Sequence, residues 1–137
     1  MSYTRRDLSL LLPALLAAAE AQADTAALPS KTFAFEDLTL KGKGRAVLDG
    51  KNHKGVGIEC HETQLAPGEI PHAAHHHEHI ELVMIREGLM EVTINGKSTR
   101  LGPGGVAYLA SNDEHGWKNV GDKMAHYFVI AVGRERT

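Results

Sequence analysis

The stretch GEIPHAAHHHEHIELVMIREG, Gly68 to Gly88, carries five of the chain's nine histidines (His72, His75, His76, His77 and His79) and then turns apolar. In an extended chain residues of equal parity share a face, so His75, His77 and Glu81 can all point into one interior. Two imidazoles and a carboxylate suit a divalent first-row metal. A straight strand would set His77 and Glu81 about 13 Å apart at about 3.3 Å per residue, whereas ligand atoms on one ion lie about 3 Å apart. The chain must therefore bend or twist between them, and a further ligand must come from elsewhere, with His53, His61, His115 and His126 remaining. His77, His79 and Glu81 make a rival triad of even spacing, and an exposed histidine-rich loop without an ordered site is the plain alternative.

The apolar end of this stretch has no polar face. One parity carries Ile80, Leu82 and Met84, the other Glu81, Val83 and Ile85. Short runs of this kind recur from Lys31 onward, near Phe33 to Phe35, Ala46 to Leu48, Val56 to Leu65, His79 to Arg86, Met90 to Ile94, Lys97 to Leu101, Val106 to Ala110 and Met124 to Val132. Gly, Pro, Asn and Asp punctuate them, and no long amphipathic helix intervenes. Asn95-Gly96 accepts the positive φ of a two-residue type I′ hairpin, and Gly102-Pro103-Gly104-Gly105 is the next turn. Short turns leave no room for crossover helices, so the pattern predicts an all-β antiparallel sandwich or barrel. Strands apolar on both faces need cover on the second face, from another sheet of the chain or from another subunit, and the expectation here is a homodimer.

The chain has 137 residues, with 15 Lys and Arg against 17 Asp and Glu and a net charge of -2. That length fits one compact domain, and the scattered cations give no basic stripe, so nucleic acid is excluded as a partner. Cys60, the single cysteine, has no internal partner and reads as a small buried hydrophobe more than as a reactive thiol. At the front, Arg5-Arg6 precedes an apolar run from Leu10 to Ala19, and Ala21-Gln22-Ala23 follows. This is the pattern of a cleaved secretory signal, similar to the twin-arginine type, over residues 1–23. The expectation is an exported, periplasmic protein whose residues 24–137 form one domain with no membrane contact; a buried N-terminal helix over residues 7–21 is the structural alternative and would leave the protein cytoplasmic. The apolar run is shorter than the roughly 20 residues of a membrane-spanning helix.

Two motifs resemble those of the cupin superfamily, small single-domain type. Gly68 is followed by six residues, His75-x-His77, three residues, Glu81, six residues and Gly88. The family has five residues after the first Gly. Downstream, Gly104 is followed by five residues, Ala110-x-Asn112, two residues, His115, three residues and Asn119. Ala110 and Asn112 stand where the family has Pro and Gly, and Asn is the residue best able to replace Gly at positive φ. The resemblance implies a small β-barrel or jelly roll with one divalent transition metal, Fe, Mn, Ni, Zn or Cu, on His75, His77, Glu81 and His115. A shell of N and O donors argues against Cu(I), and three His with one carboxylate leave positions for water, oxygen or a bidentate substrate.

The function this implies is a metal-dependent enzyme, dioxygenase-like, acting on a chelating enol, diol or hydroxy-carbonyl; isomerases, lyases and decarboxylases share such sites. Glu81 is the expected base, or it only balances charge. His76 should face outward. For the substrate pocket the sequence nominates His72 at the barrel mouth, Tyr108, Trp117, Asn119 and Phe128, with Val83, Ile85 and Met124 as further inward candidates. Trp117 and Asn119 share the parity of His115. The competing readings are a non-catalytic ligand- or metal-binding module in the periplasm, and metal buffering by the cluster from His72 to His79.

Overall fold

The computed structural model describes residues 26–135, so the expected signal segment at residues 1–23 lies outside the described residues. The strands are β1 (Gly44–Lys51), β2 (Gly57–Leu65), β3 (Ile80–Glu87), β4 (Met90–Ile94), β5 (Lys97–Leu101), β6 (Val106–Leu109), β7 (His115–Asn119) and β8 (Ala125–Val132). They form a five-stranded antiparallel sheet in the order β1-β2-β8-β3-β6, and a three-stranded one in the order β5-β4-β7. The expected all-β jelly roll is therefore what the chain builds.

The hairpin between β4 and β5 turns at Asn95 and Gly96, with φ of 47° and 79°, the positive values its two-residue loop requires. Asn112 likewise has φ 63°, so Asn does take the place of Gly there. Two expectations need correction. Phe33 to Phe35 is not a strand: Phe35 opens a 3-10 turn, Phe35–Asp37, and its ring lies 4.9 Å from the Arg45 guanidinium and 3.9 Å from that of Arg86. Stacking on two cations replaces strand pairing there. Conversely, His115–Asn119, absent from the expected strands, is a full strand paired along its length with β4.

The register of the large sheet decides which side chains meet the second sheet. Glu59, Ala131, Glu81 and Leu109 form one transverse row; His61, Val129, Val83 and Ala107 form the next; Thr63, Tyr127 and Ile85 follow. This inner face supplies Leu65, Val83, Ile85, Leu109, Tyr127 and Val129 to a core shared with Met90, Val92 and Trp117 of the smaller sheet. Each such burial stabilises by about 1.5–3 kcal/mol relative to exposure. The Glu81 row borders this core through Leu109.

The outer face of the five-stranded sheet is mixed. Ile80, Leu82, Met84, Phe128 and Ile130 are half-buried, while Val106 and Tyr108 are 54% and 56% exposed. On the same face Glu62 is fully buried, accepting hydrogen bonds from Arg45 at 2.6 Å and from His126 at 2.7 Å. Two donors on one buried carboxylate offset its desolvation.

Candidate metal centre

Backbone bonds supply the bend that the spacing demanded. His75 and His115 exchange N–H···O bonds of 3.0 and 2.9 Å, which join the loop before β3 to the edge of the small sheet at β7. Two residues on, the Asn112 N–H donates to the His77 carbonyl at 2.7 Å, so the chain is pinned on either side of His76. It then enters β3, where pairing with Ala131 and Leu109 turns Glu81 inward.

Three imidazoles and a carboxylate converge as a result. Ring centroids are 5.1 Å apart for His75 and His77, and 4.8 Å for each of these with His115. The ligating atoms of His75, His77 and His115 lie within 4.8 Å of one another. Glu81 Oε1 is 3.5 Å from His77 Nε2, and Glu81 Oε2 is 3.7 Å from His115 Nε2, both too long for hydrogen bonds. His75 Nδ1, His77 Nε2, Glu81 Oε2 and His115 Nε2 are buried without any hydrogen-bond partner.

The far nitrogens explain which atoms are free. His77 Nδ1–H donates to the His79 carbonyl and His115 Nδ1–H to the Asp113 carbonyl, each at 2.8 Å. Each bond fixes the tautomer and leaves the Nε2 lone pair facing the cluster. Burial, reinforced by His72 and His115, holds the His75 imidazole below its ordinary pKa, favouring the neutral ligating form. Four buried polar atoms with no protein partner, three on imidazoles whose ligating atoms are mutually close and one on the Glu81 carboxylate beside two of them, are what a bound cation would satisfy.

The rival triad is also brought together, since donor atoms of His77, His79 and Glu81 lie within 4.8 Å of one another. His79 stacks flat on His77 at 3.5 Å, and its Nε2 lies 3.4 Å from Glu81 Oε1. The difference is in partnering. His79 already faces the carboxylate, whereas the free nitrogens of His75 and His115 have none. Burial first, then the neighbouring His77, lowers the His79 pKa.

Around this centre His76 is exposed, as its parity predicts. His72 is exposed at the mouth, its ring 4.5 Å from that of His75 and 5.9 Å from that of Trp117. Trp117 lies parallel to His115 at 6.0 Å, is buried, and meets the Tyr127 ring edge-on at 5.8 Å. Other nominated pocket residues lie elsewhere. Tyr108 and Phe128 belong to the outer face, Phe128 pairing with Glu62 and Met84, and Met124 sits in an exposed turn. Asn119 is buried at the far end of β7, donating to the carbonyls of Leu65 (2.9 Å) and Lys123 (2.8 Å) and accepting from the Gly121 N–H (2.9 Å). Its amide knots a turn and is spent on backbone. Val83 and Ile85 are core.

Glu59, His61 and Thr63, none of them nominated from the sequence as pocket residues, are the residues through which β2 brings polar groups to the inner face. Alternation in Glu59-Cys60-His61-Glu62-Thr63 puts charged groups on both faces of one strand. Only the pairing with β8 shows which of them turn inward.

Residues 61–131, a span holding His75, His77, Glu81 and His115, match the family model of the cupin domain. A stretch of 63 residues is 43% identical to L-ectoine synthase of Bordetella parapertussis, covering 44% of this chain and 47% of that protein. The chain thus spans about half the length of the curated relatives it matches. Among solved structures, an RmlC-like cupin from Shewanella frigidimarina superposes with a TM-score of 0.60 at 18% identity, covering 78% of this chain and 95% of the other. The polyketide cyclase RemF from Streptomyces resistomycificus gives 0.60 at 15% identity, covering 80% and 83%. At these identities the likeness is one of fold.

Proposed function

The chain belongs to the cupin domain family, and on that premise we propose that it is a metal-dependent enzyme whose ion is held by His75, His77, Glu81 and His115. The observation that carries this reading is that ligating atoms of His75, His77 and His115 lie within 4.8 Å of one another, with the unpartnered Glu81 carboxylate 3.5 Å from His77 and 3.7 Å from His115. A divalent ion there would supply Lewis acidity to a coordinated oxygen and, if redox-active, dioxygenase-like chemistry. The substrate class we favour is a small chelating enol, diol or hydroxy-carbonyl.

The chain's own contributions are distinct. His77 and His115 present fixed lone pairs, Glu81 balances the charge of the ion, and His79 steadies the Glu81 carboxylate. Trp117 and His72 wall the entrance. The likeness of 63 residues to L-ectoine synthases supports an enzyme over a simple metal buffer. Elemental analysis of untagged protein purified without chelators tests the reading. One iron, manganese, nickel, zinc or copper per chain, followed by turnover or oxygen uptake with small diols and enols, is expected. Several ions per chain would favour buffering, and one ion without any turnover would favour a binding module.

We further propose that the half-buried outer face, with Leu82, Met84, Val106 and Tyr108, is where two copies pair. A monomeric sedimentation profile at micromolar concentration would contradict this. Export through residues 1–23 remains a proposal resting on their sequence, and N-terminal sequencing of the protein from the periplasmic fraction tests it.

A further inference from the structure

The inner face of the large sheet holds a second polar pair that the metal centre does not use. Glu59 accepts a hydrogen bond from His61 Nδ1–H at 2.8 Å. The carboxylate is 14% exposed and the imidazole 37%, so the pair is sunk at its Glu59 end and open at its His61 end. It does not lie on the outer surface. Glu59 pairs with Ala131 of β8, and Ala131 pairs with Glu81 of β3, so Glu59 and Glu81 stand in one row on one face with only a methyl group between them. At about 4.8 Å per strand their backbones are roughly 10 Å apart. In the next row His61 is separated from Val83 by Val129.

The bond to Glu59 determines the chemistry open to His61. With Nδ1–H committed to the carboxylate, Nε2 carries the lone pair that can accept a proton. A hydrogen-bonded histidine and carboxylate on the same sheet face as Glu81 is an acid–base arrangement. Of the neighbouring ionisable groups, Asp49 pairs with Glu59 from β1, and Glu81 lies two strands away in the same row. Thr63 and Tyr127 lie deeper along the same face.

We propose that His61, oriented by Glu59, is the proton-transferring residue for a substrate held at the metal centre, an inference that rests on the metal-centre reading above. His61 Nε2 takes a proton from an O–H, N–H or C–H of a substrate whose neighbouring oxygen a bound ion would hold. The electron pair of that bond stays with the substrate, and the imidazolium returns the proton at another atom of the product. No oxidant or reductant is consumed, so the step serves isomerisation, cyclisation or elimination.

The test uses the full chain loaded with zinc and acetohydroxamate as probe, because this probe has two metal-binding oxygens and an adjacent N–H. The side-chain 15N resonances of His61 are followed in the wild type during titration, and probe affinity is compared among wild type, His61→Ala, Glu59→Ala and the remote control His53→Ala. We expect a shift of the His61 Nε2 resonance on probe binding. Affinity should fall about tenfold in His61→Ala, the size of one good hydrogen bond, and less in Glu59→Ala. Zinc per chain should stay constant throughout, and His53→Ala should match wild type. An unmoved His61 resonance together with unchanged affinity in His61→Ala would overturn the proposal while leaving the metal centre standing. Loss of zinc in His61→Ala would make it a ligand and overturn it too. Failure of the wild type to bind zinc would instead remove the metal-centre reading, and this proposal with it.

Discussion

Replacing His115 by Ala puts the metal centre to its most direct test. Without an ion, His75 Nδ1, His77 Nε2, Glu81 Oε2 and His115 Nε2 are buried and unpaired, and each such group costs about 1–3 kcal/mol. An ion that satisfies all of them binds only the folded state. At a free concentration one hundred times its Kd it adds about 2.7 kcal/mol of stability, which in a domain of this size raises Tm by roughly 8–15 °C. His115→Ala removes one donor and leaves Glu81 Oε2 facing a void. A loss of affinity of about a hundredfold leaves the site half occupied at the same ion concentration, worth only about 0.4 kcal/mol and roughly 2 °C. His76→Ala, at an exposed position between two ligands, should keep the full shift. The assay is thermal denaturation with and without added ion, paired with elemental analysis of the same samples. Equal metal-induced shifts in His115→Ala and wild type, or several ions per chain insensitive to His115, would refute the four-ligand geometry.

Other consequences follow from single contacts. Burial, helped by the negative charges of Glu62 and Glu81 and opposed by the Trp117 and Thr63 side chains, pushes the Tyr127 phenol from 10.0 to about 12. The folded state therefore keeps a proton that the unfolded chain gives up, and stability present below pH 10 should be lost between pH 10 and 12, by about 2–3 kcal/mol in all. Denaturant titrations across that range should show a smaller loss in Tyr127→Phe. Gly88 has φ +88°, and a Cβ there would lie 2.7 Å from Ala125 Cα, so Gly88→Ala should cost about 2–4 kcal/mol, read as a lower denaturation midpoint at constant m. Burial, and then the charge of Glu59, raises the Cys60 thiol from 9.0 to about 11. Its thiolate fraction at pH 8 is then roughly a hundredfold below that of an ordinary thiol, and alkylation by iodoacetamide, followed by mass spectrometry, should slow in proportion.

How far the sequence speaks for itself depends on whether a signal is local. Asn95-Gly96 declares its hairpin because positive φ at both positions is a property of those residues alone, and the strands on either side of it end where the turn chemistry says. Phe35 fails as a strand residue because its partners, Arg45 and Arg86, come from elsewhere in the chain. β7 is hard to see because Gly116 and Lys118 occupy its outer face and leave no apolar alternation. The proposed ligand cluster is half legible. Parity grouped His75, His77 and Glu81, while the bend that unites them is made by backbone bonds to His115 and Asn112 that no spacing reveals.

The division into inner and outer faces was the least legible feature, and the chemistry turns on it. β3 and β8 are apolar on both parities, so hydrophobicity alone permits Phe128 and Tyr108, or Tyr127 and Ala107, to face the second sheet. A register slip of one residue exchanges every side chain between faces. What removes the ambiguity is the row Glu59, Ala131, Glu81, Leu109. With Glu81 inward to meet His77 and His115, the pairing carries Tyr127 and Val129 into the core, puts Phe128 and Tyr108 on the outside, and sets Glu59 and His61 on the same face as Glu81. One carboxylate's need for partners thus selects which residues line the inner face as well as a ligand of the proposed ion.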